Sequence, residues 1–227
     1  MSWSEAHKWI VRNADDVVTF SISELEKYLR AEDIHAKTSN GCTLMHFAAL
    51  TACAAPLMKY LVSRGAGKEV RDRDGATPLH WASRSDCGGI ATQTLLQLGA
   101  SPWSMDNNGN SPLHYAAECG NVSSSELLLK AMNFSTDVTN FRGRTPLHFA
   151  CLEEERKMIR FLVRKGAKAE DRMVVRLIRS NSRRTLRSLL RSADDSWPGD
   201  RKQRFLEMAR QEGKMRSYRE LRRLFSV

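Results

Sequence analysis

Four histidines are the first residues whose spacing suggests chemistry: His46, His80, His114 and His148 recur at intervals of 34 residues. An imidazole can relay protons or ligate a metal. Cys42 stands four residues before His46, but a zinc site would need two further ligands beside that pair. No serine or cysteine has a recognisable base and oxyanion loop, and no glycine-rich phosphate cradle is present. The expectation is therefore a chain that is not an enzyme and carries no metal or cofactor.

Arginine offers a second chemistry. Residues 171–227 hold 16 basic and 7 acidic side chains, and 14 of the 16 are Arg, whereas residues 1–41 hold 5 and 7. The formal charge of +10 is thus concentrated in the last quarter. A guanidinium fork grips phosphate or carboxylate through two parallel hydrogen bonds. Such an end on a near-neutral body points to an anionic partner: RNA, DNA, an acidic protein face or anionic lipid. The candidate contacts are Arg176, Arg179, Arg183, Arg184, Arg187 and Arg191, then Arg201, Lys202 and Arg204. The first, second, third and fifth of these follow helical spacing, so a continuous helix would align them along one side. A solvated helical cap with no partner of its own is the competing reading of this segment.

The elements that position these residues follow from an internal repeat. Thr43-Leu44-Met45-His46, Thr77-Pro78-Leu79-His80, Ser111-Pro112-Leu113-His114 and Thr145-Pro146-Leu147-His148 are in phase, each preceded by a glycine two residues upstream. Thr38, Asp72, Asp106 and Asn140 stand five residues before each tetrapeptide and suit a turn. An aromatic and an alanine follow each one: Phe47-Ala48, Trp81-Ala82, Tyr115-Ala116 and Phe149-Ala150. Thr or Ser as N-cap with Pro at the first helical position predicts a short helix. A second apolar segment then predicts a longer helix, closed by Gly65, Gly99 and Gly166 in three of the four units. No unit can bury its own apolar face, so the units must stack. The third unit ends in Met132-Asn133-Phe134 instead of Gly-Ala, which predicts a different loop there.

This pattern resembles the ankyrin repeat, with its T-P-L-H-x-A signature and a period close to 33; the resemblance covers about residues 31–171. It implies an all-α solenoid of helix-turn-helix units with β-turn fingers. The motif histidines would then bond backbone groups between adjacent fingers, and the aromatics would pack partly into the core. Residues 1–171 are expected to form the stack, with a divergent N-terminal cap over 1–41. Residues 172–227 are expected to form a basic helical extension that caps it, with a loop near Asp194–Asp200 and a bend at Gly213. Partners of this family generally meet the finger tips and the concave face of the first helices. Carried over, those positions are Arg73 and Asp74; Asn107, Asn108 and Asn110; Phe141, Arg142 and Arg144; and, on the helices, Arg84, Glu118, Leu152 and Glu153. The expected function is a protein–protein interaction adaptor or scaffold with no small-molecule substrate. The alternative is a structural RNA-associated subunit with its tail on the phosphate backbone.

With 41% apolar and 27% charged residues the chain falls in the globular class. No apolar run is long enough for a membrane span. Five cysteines without a CxxC pair and a start lacking an apolar signal core suggest an intracellular setting, cytoplasmic, nuclear or organellar, not secretion.

Overall fold

The computed structural model describes residues 4–13, 22–51, 54–85, 89–192 and 197–225. Among these the chain forms fourteen α-helices and one 3-10 turn, with no strand. The helices are α1 (Glu5–Asn13), α2 (Ile22–Tyr28), α3 (Leu44–Ala48), α4 (Ala54–Ser63), α5 (Pro78–Arg84), α6 (Ile90–Gln97), α7 (Pro112–Glu118), α8 (Val122–Ala131), α9 (Pro146–Leu152), α10 (Arg156–Arg164), α11 (Asp171–Arg179), α12 (Arg183–Ser192), α13 (Gly199–Gln211) and α14 (Met215–Leu224). No helix among the described residues is long and apolar enough to cross a membrane.

Odd-numbered helices form one layer, each packed on the next from α1 to α13. Even-numbered helices form a second layer from α4 to α14. At the N-terminal end, Tyr60 Oη on α4 donates to Glu26 Oε1 on α2 at 3.0 Å. The core runs unbroken between the layers, from Ile10 and Leu25 through Leu79, Leu95, Leu113 and Leu128 to Phe205 and Leu221. Each such side chain, fully buried, contributes about 2 kcal/mol of transfer free energy. Alanines 48, 82, 116 and 150 lie buried on the inner helices, where a larger side chain would force the layers apart.

The predicted N-caps hold: Thr43, Thr77, Ser111 and Thr145 stand in extended conformation directly before α3, α5, α7 and α9. The predicted irregular loop after the third unit is also present. Asn133 and Phe134 both adopt positive φ, 51° and 60°, where the other units use glycine. Asp194–Ser196, part of the loop expected near Asp194–Asp200, lie outside the described residues.

Beyond the fourth unit, α11/α12 and α13/α14 continue both layers as two further helix pairs, with Gly213 (φ 66°) forming the break between α13 and α14. Helix α11 begins at Asp171. The terminal helices depart from the sequence reading in one respect: the continuous helix that would have aligned Arg176, Arg179, Arg183 and Arg187 does not exist. Asn181 turns the chain with φ 57°, so Arg176 and Arg179 belong to the inner layer, and Arg183 and Arg187 to the outer one.

Candidate protein-binding surface

Each finger is tied by one polar side chain at the position predicted to turn. Asp72 Oδ1 accepts the backbone N–H groups of Asp74 and Ala76 at 3.0 and 2.8 Å. Asp106 does the same for Asn108 and Asn110, both at 2.8 Å. Asn140 repeats it for Arg142 and Arg144, at 3.0 and 2.9 Å. The remaining oxygens fix the aromatic column: Trp81 Nε1 donates to Asp72 Oδ2 at 2.9 Å, and Tyr115 Oη to Asp106 Oδ2 at 3.0 Å. Burial beside this carboxylate raises the Tyr115 phenol well above its usual range.

Backbone bonds join successive fingers: Arg73 N–H to Asn40 O at 2.8 Å, Asn107 N–H to Asp74 O at 2.9 Å, and Phe141 N–H to Asn108 O at 3.1 Å. The histidines add a second link. In every unit Nδ1 accepts the N-cap backbone N–H at 3.1 Å. This is a capping box with His in place of the usual Glu or Gln. The ring proton therefore sits on Nε2, assigned from the hydrogen bonds. From there it is donated to a carbonyl of the following finger: Ala76 O at 3.1 Å, Asn110 O at 3.0 Å and Arg144 O at 2.9 Å. These histidines are neutral staples. Burial lowers their pKa values, that of His114 to about 4.

The ladder ends at His148. The next inner helix, α11, begins 25 residues after the start of α9, where α3, α5, α7 and α9 begin 34 apart, and no finger intervenes. His148 Nε2 is consequently buried without a hydrogen-bond partner, 3.9 Å from Glu170 Oε2. Burial, followed by the charge of Arg172, lowers its pKa to about 4.

Between the fingers and the inner helices lies a groove of about 410 Å³, lined by Leu50, Asp72, Asp74, Ala76, Trp81, Arg84, Ser85 and Tyr115. Leu50 is 41% exposed at its edge. Asn121, at the start of α8, holds the floor by donating from Nδ2 to Ser83 O, Arg84 O and Ser85 O at 3.0, 2.9 and 2.9 Å. Burial raises the pKa of the Cys119 thiol of the neighbouring unit, and the charge of Arg84 partly opposes that shift.

Of the positions carried over from the sequence, Asp74 and Arg84 meet in this groove. Arg73 lies back along the preceding finger, with Nη2 donating to Ser39 O at 3.0 Å. Asn107 Nδ2 is spent on Arg73 O at 2.9 Å, though the residue is exposed, as is Asn108. Asn110 is a structural bracket: it donates to Asp106 at 2.9 Å and accepts from Asn140 at 2.8 Å. Phe141 is 72% exposed and rests over Gly109 of the preceding finger. Arg142 and Glu153 are exposed; Arg144, Glu118 and Leu152 are half-buried. The aromatics Trp81 and Tyr115, expected to pack partly into the core, also form the groove wall. Only the hydrogen bonds to Asp72 and Asp106 reveal that they stand at the interface between core and cleft.

The tail cations divide. Arg187 is committed to Glu220, with Nη2 donating to Oε2 at 2.7 Å, and Arg183 stands 4.0 Å from the same carboxylate. Glu220 is only 4% exposed, and its hydrogen bonds from Arg187 hold its carboxyl below the usual range. Arg179 pairs with Glu212 at 3.0 Å and Arg201 with Asp171 at 3.3 Å. Arg176 and Arg204 line an open cleft on the inner layer. Lys202 lies over the Phe225 ring at 5.5 Å and, with Arg191, lines a small pocket beside the buried Trp197.

No curated protein matches the chain. The family described as ankyrin repeats (3 copies) matches residues 9–106 and 87–173, most of the stacked helices and all four fingers. With the finger brackets, histidine staples and two-layer stacking in register with that match, the chain belongs to the ankyrin-repeat family.

Proposed function

We propose that this chain is a non-enzymatic adaptor that holds a protein segment in the groove between its second finger and the inner helices. Ankyrin repeats generally mediate protein–protein interaction. The observation that carries the reading is the composition of the cleft. Leu50 and Trp81 supply an apolar wall, and Asp74 and Arg84 bring opposite charges into the same groove. An aromatic wall beside an Arg is the kind of anchor that dominates binding energy at interfaces. A complementary segment places an apolar side chain against Leu50 and Trp81, a basic group at Asp74 and an acidic group at Arg84. The fourth finger, through Phe141, Arg142 and Arg144, extends the contact along the same row. The basic terminal helices are a second docking surface, and two linked contacts raise effective affinity.

The test is selection of binding peptides from a random library against the full chain, followed by Leu50→Glu, Arg84→Glu and the paired Arg142→Ala, Arg144→Ala variants. The expected result is loss of peptide affinity by tenfold or more, the effect of about 1.4 kcal/mol, with unchanged melting temperatures. Selected peptides indifferent to all these variants would remove the reading.

A further inference from the structure

The sequence divides the basic residues into a mildly charged repeat region and a strongly charged tail, but the fold groups them differently. The last three outer helices, α10, α12 and α14, lie side by side in one layer. Each carries four basic residues. Helices α10 and α12 contain no carboxylate, and α14 contains one, Glu220, which is buried and already engaged by Arg187. The other basic residues of these helices are all exposed. Arg160 and Arg164 come from a helix within the repeats, Arg184 and Arg191 from α12, and Arg219 and Arg223 from α14. The patch stops at α8, where Lys130 is answered by Glu126 at 3.5 Å. On the inner layer, Arg179 and Arg201 are likewise neutralised by Glu212 and Asp171.

We infer that this outer face of α10, α12 and α14 binds the phosphate backbone of a duplex nucleic acid without reading its sequence. The inference specifies the partner and position of the second docking surface and rests on that part of the proposed function. Three helices packed about 8–10 Å apart span roughly 20 Å. A duplex carries one charge per about 1.7 Å of axis, hence about a dozen over that length, of which about half face a flat surface. The face supplies enough exposed cations for that number, nearly all of them Arg, whose fork fits a phosphate through paired hydrogen bonds.

Two features separate a duplex from other polyanions. Single-strand recognition relies on exposed aromatic platforms, yet Phe161 and Tyr218, the aromatics of these three helices, are both half-buried against the core. A membrane-surface helix needs an apolar face to insert. The apolar face of each of these helices is turned into the core instead, and among their large apolar residues Met215 alone is strongly exposed.

The experiment is salt-titrated fluorescence anisotropy of the full chain with duplex RNA and duplex DNA of about 20 base pairs, expected to show a log–log slope of about −5 for roughly six neutralised phosphates. Arg160→Glu with Arg164→Glu, both outside the tail, is expected to weaken binding at least tenfold near 100 mM salt and to flatten the slope by about 2. The neutral pair Arg160→Gln, Arg164→Gln guards against a folding defect and should weaken binding in the same direction. Arg176→Glu with Arg204→Glu, on the inner layer, should change affinity less than twofold. Comparing the RNA and DNA arms identifies which duplex is preferred. Absence of binding by the unaltered chain, equal losses from the inner and outer variants, or tighter binding to phosphatidylserine vesicles or polyglutamate would each overturn the inference. Leu50→Glu with Arg84→Glu should leave duplex binding intact, so the failure of either reading is distinguishable from the failure of the other.

Discussion

Mild acid should destabilise the stack through its histidine staples, and the size of the effect follows from their environment. His114 and His148 each have a folded pKa of about 4 against an ordinary 6.5, because burial disfavours the imidazolium. As pH falls, the unfolded chain takes up these protons first. The stability that depends on the neutral rings is therefore complete above 6.5, is lost between 6.5 and about 4, and changes no further below that. At about 1.4 kcal/mol per pH unit, lowering the pH from about 7 to 5 costs roughly 2 kcal/mol at each ring. His46 and His80 are shifted in the same direction and add to the loss. The total, about 4 kcal/mol or more, is a large fraction of the stability of an ordinary domain. Urea unfolding followed by circular dichroism at several pH values measures it directly. His148→Asn should remove about 2 kcal/mol of the pH dependence, because its ring is buried with an unpaired Nε2. A stability that is flat between pH 7 and 5, or a His148→Asn chain with an unchanged slope, would refute the assignment of neutral, buried rings.

Three other outcomes are expected. Gly109 has φ 78°, and a Cβ there would lie 2.7 Å from Phe141 N, so Gly109→Ala should cost about 2 kcal/mol and loosen the third finger from the fourth, measured by thermal melting and amide exchange at Phe141. Asn121→Ala leaves the carbonyls of Ser83, Arg84 and Ser85 without their shared donor; a loss of about 2 kcal/mol is expected, together with weaker binding of groove peptides. Glu220→Gln removes the charge that Arg187 faces across α12 and α14, so the chain should lose about 1–3 kcal/mol in urea titrations. Its duplex affinity should rise slightly at the same time, because the face becomes more positive.

The sequence by itself determined the repeating unit. Thr-Pro-Leu-His carries its own instructions: a capping hydroxyl, a proline at the first helical position and an apolar side chain for the core. Each acts within four residues, so its spacing alone reveals it. The turn positions Asp72, Asp106 and Asn140 are legible for the same reason, since each closes a loop to a backbone N–H two and four residues on. The break at Gly213 is equally local.

Other features depended on partners 30 or more residues away. The groove needed Leu50, Arg84 and Tyr115 from three successive units, and its floor needed Asn121 reaching back to the end of α5. The helical spacing of Arg176, Arg179, Arg183 and Arg187 suggested one row, but the turn at Asn181 placed them in two layers, and Glu220 claimed Arg187. Conversely, Arg160 and Arg184 stand 24 residues apart in sequence and belong to one face, because α10 packs directly on α12. Charge counted along the chain cannot show which cations are neutralised across helices. Only the tertiary packing decides that, by bringing some arginines to buried or neighbouring carboxylates and leaving the outer ones in solvent.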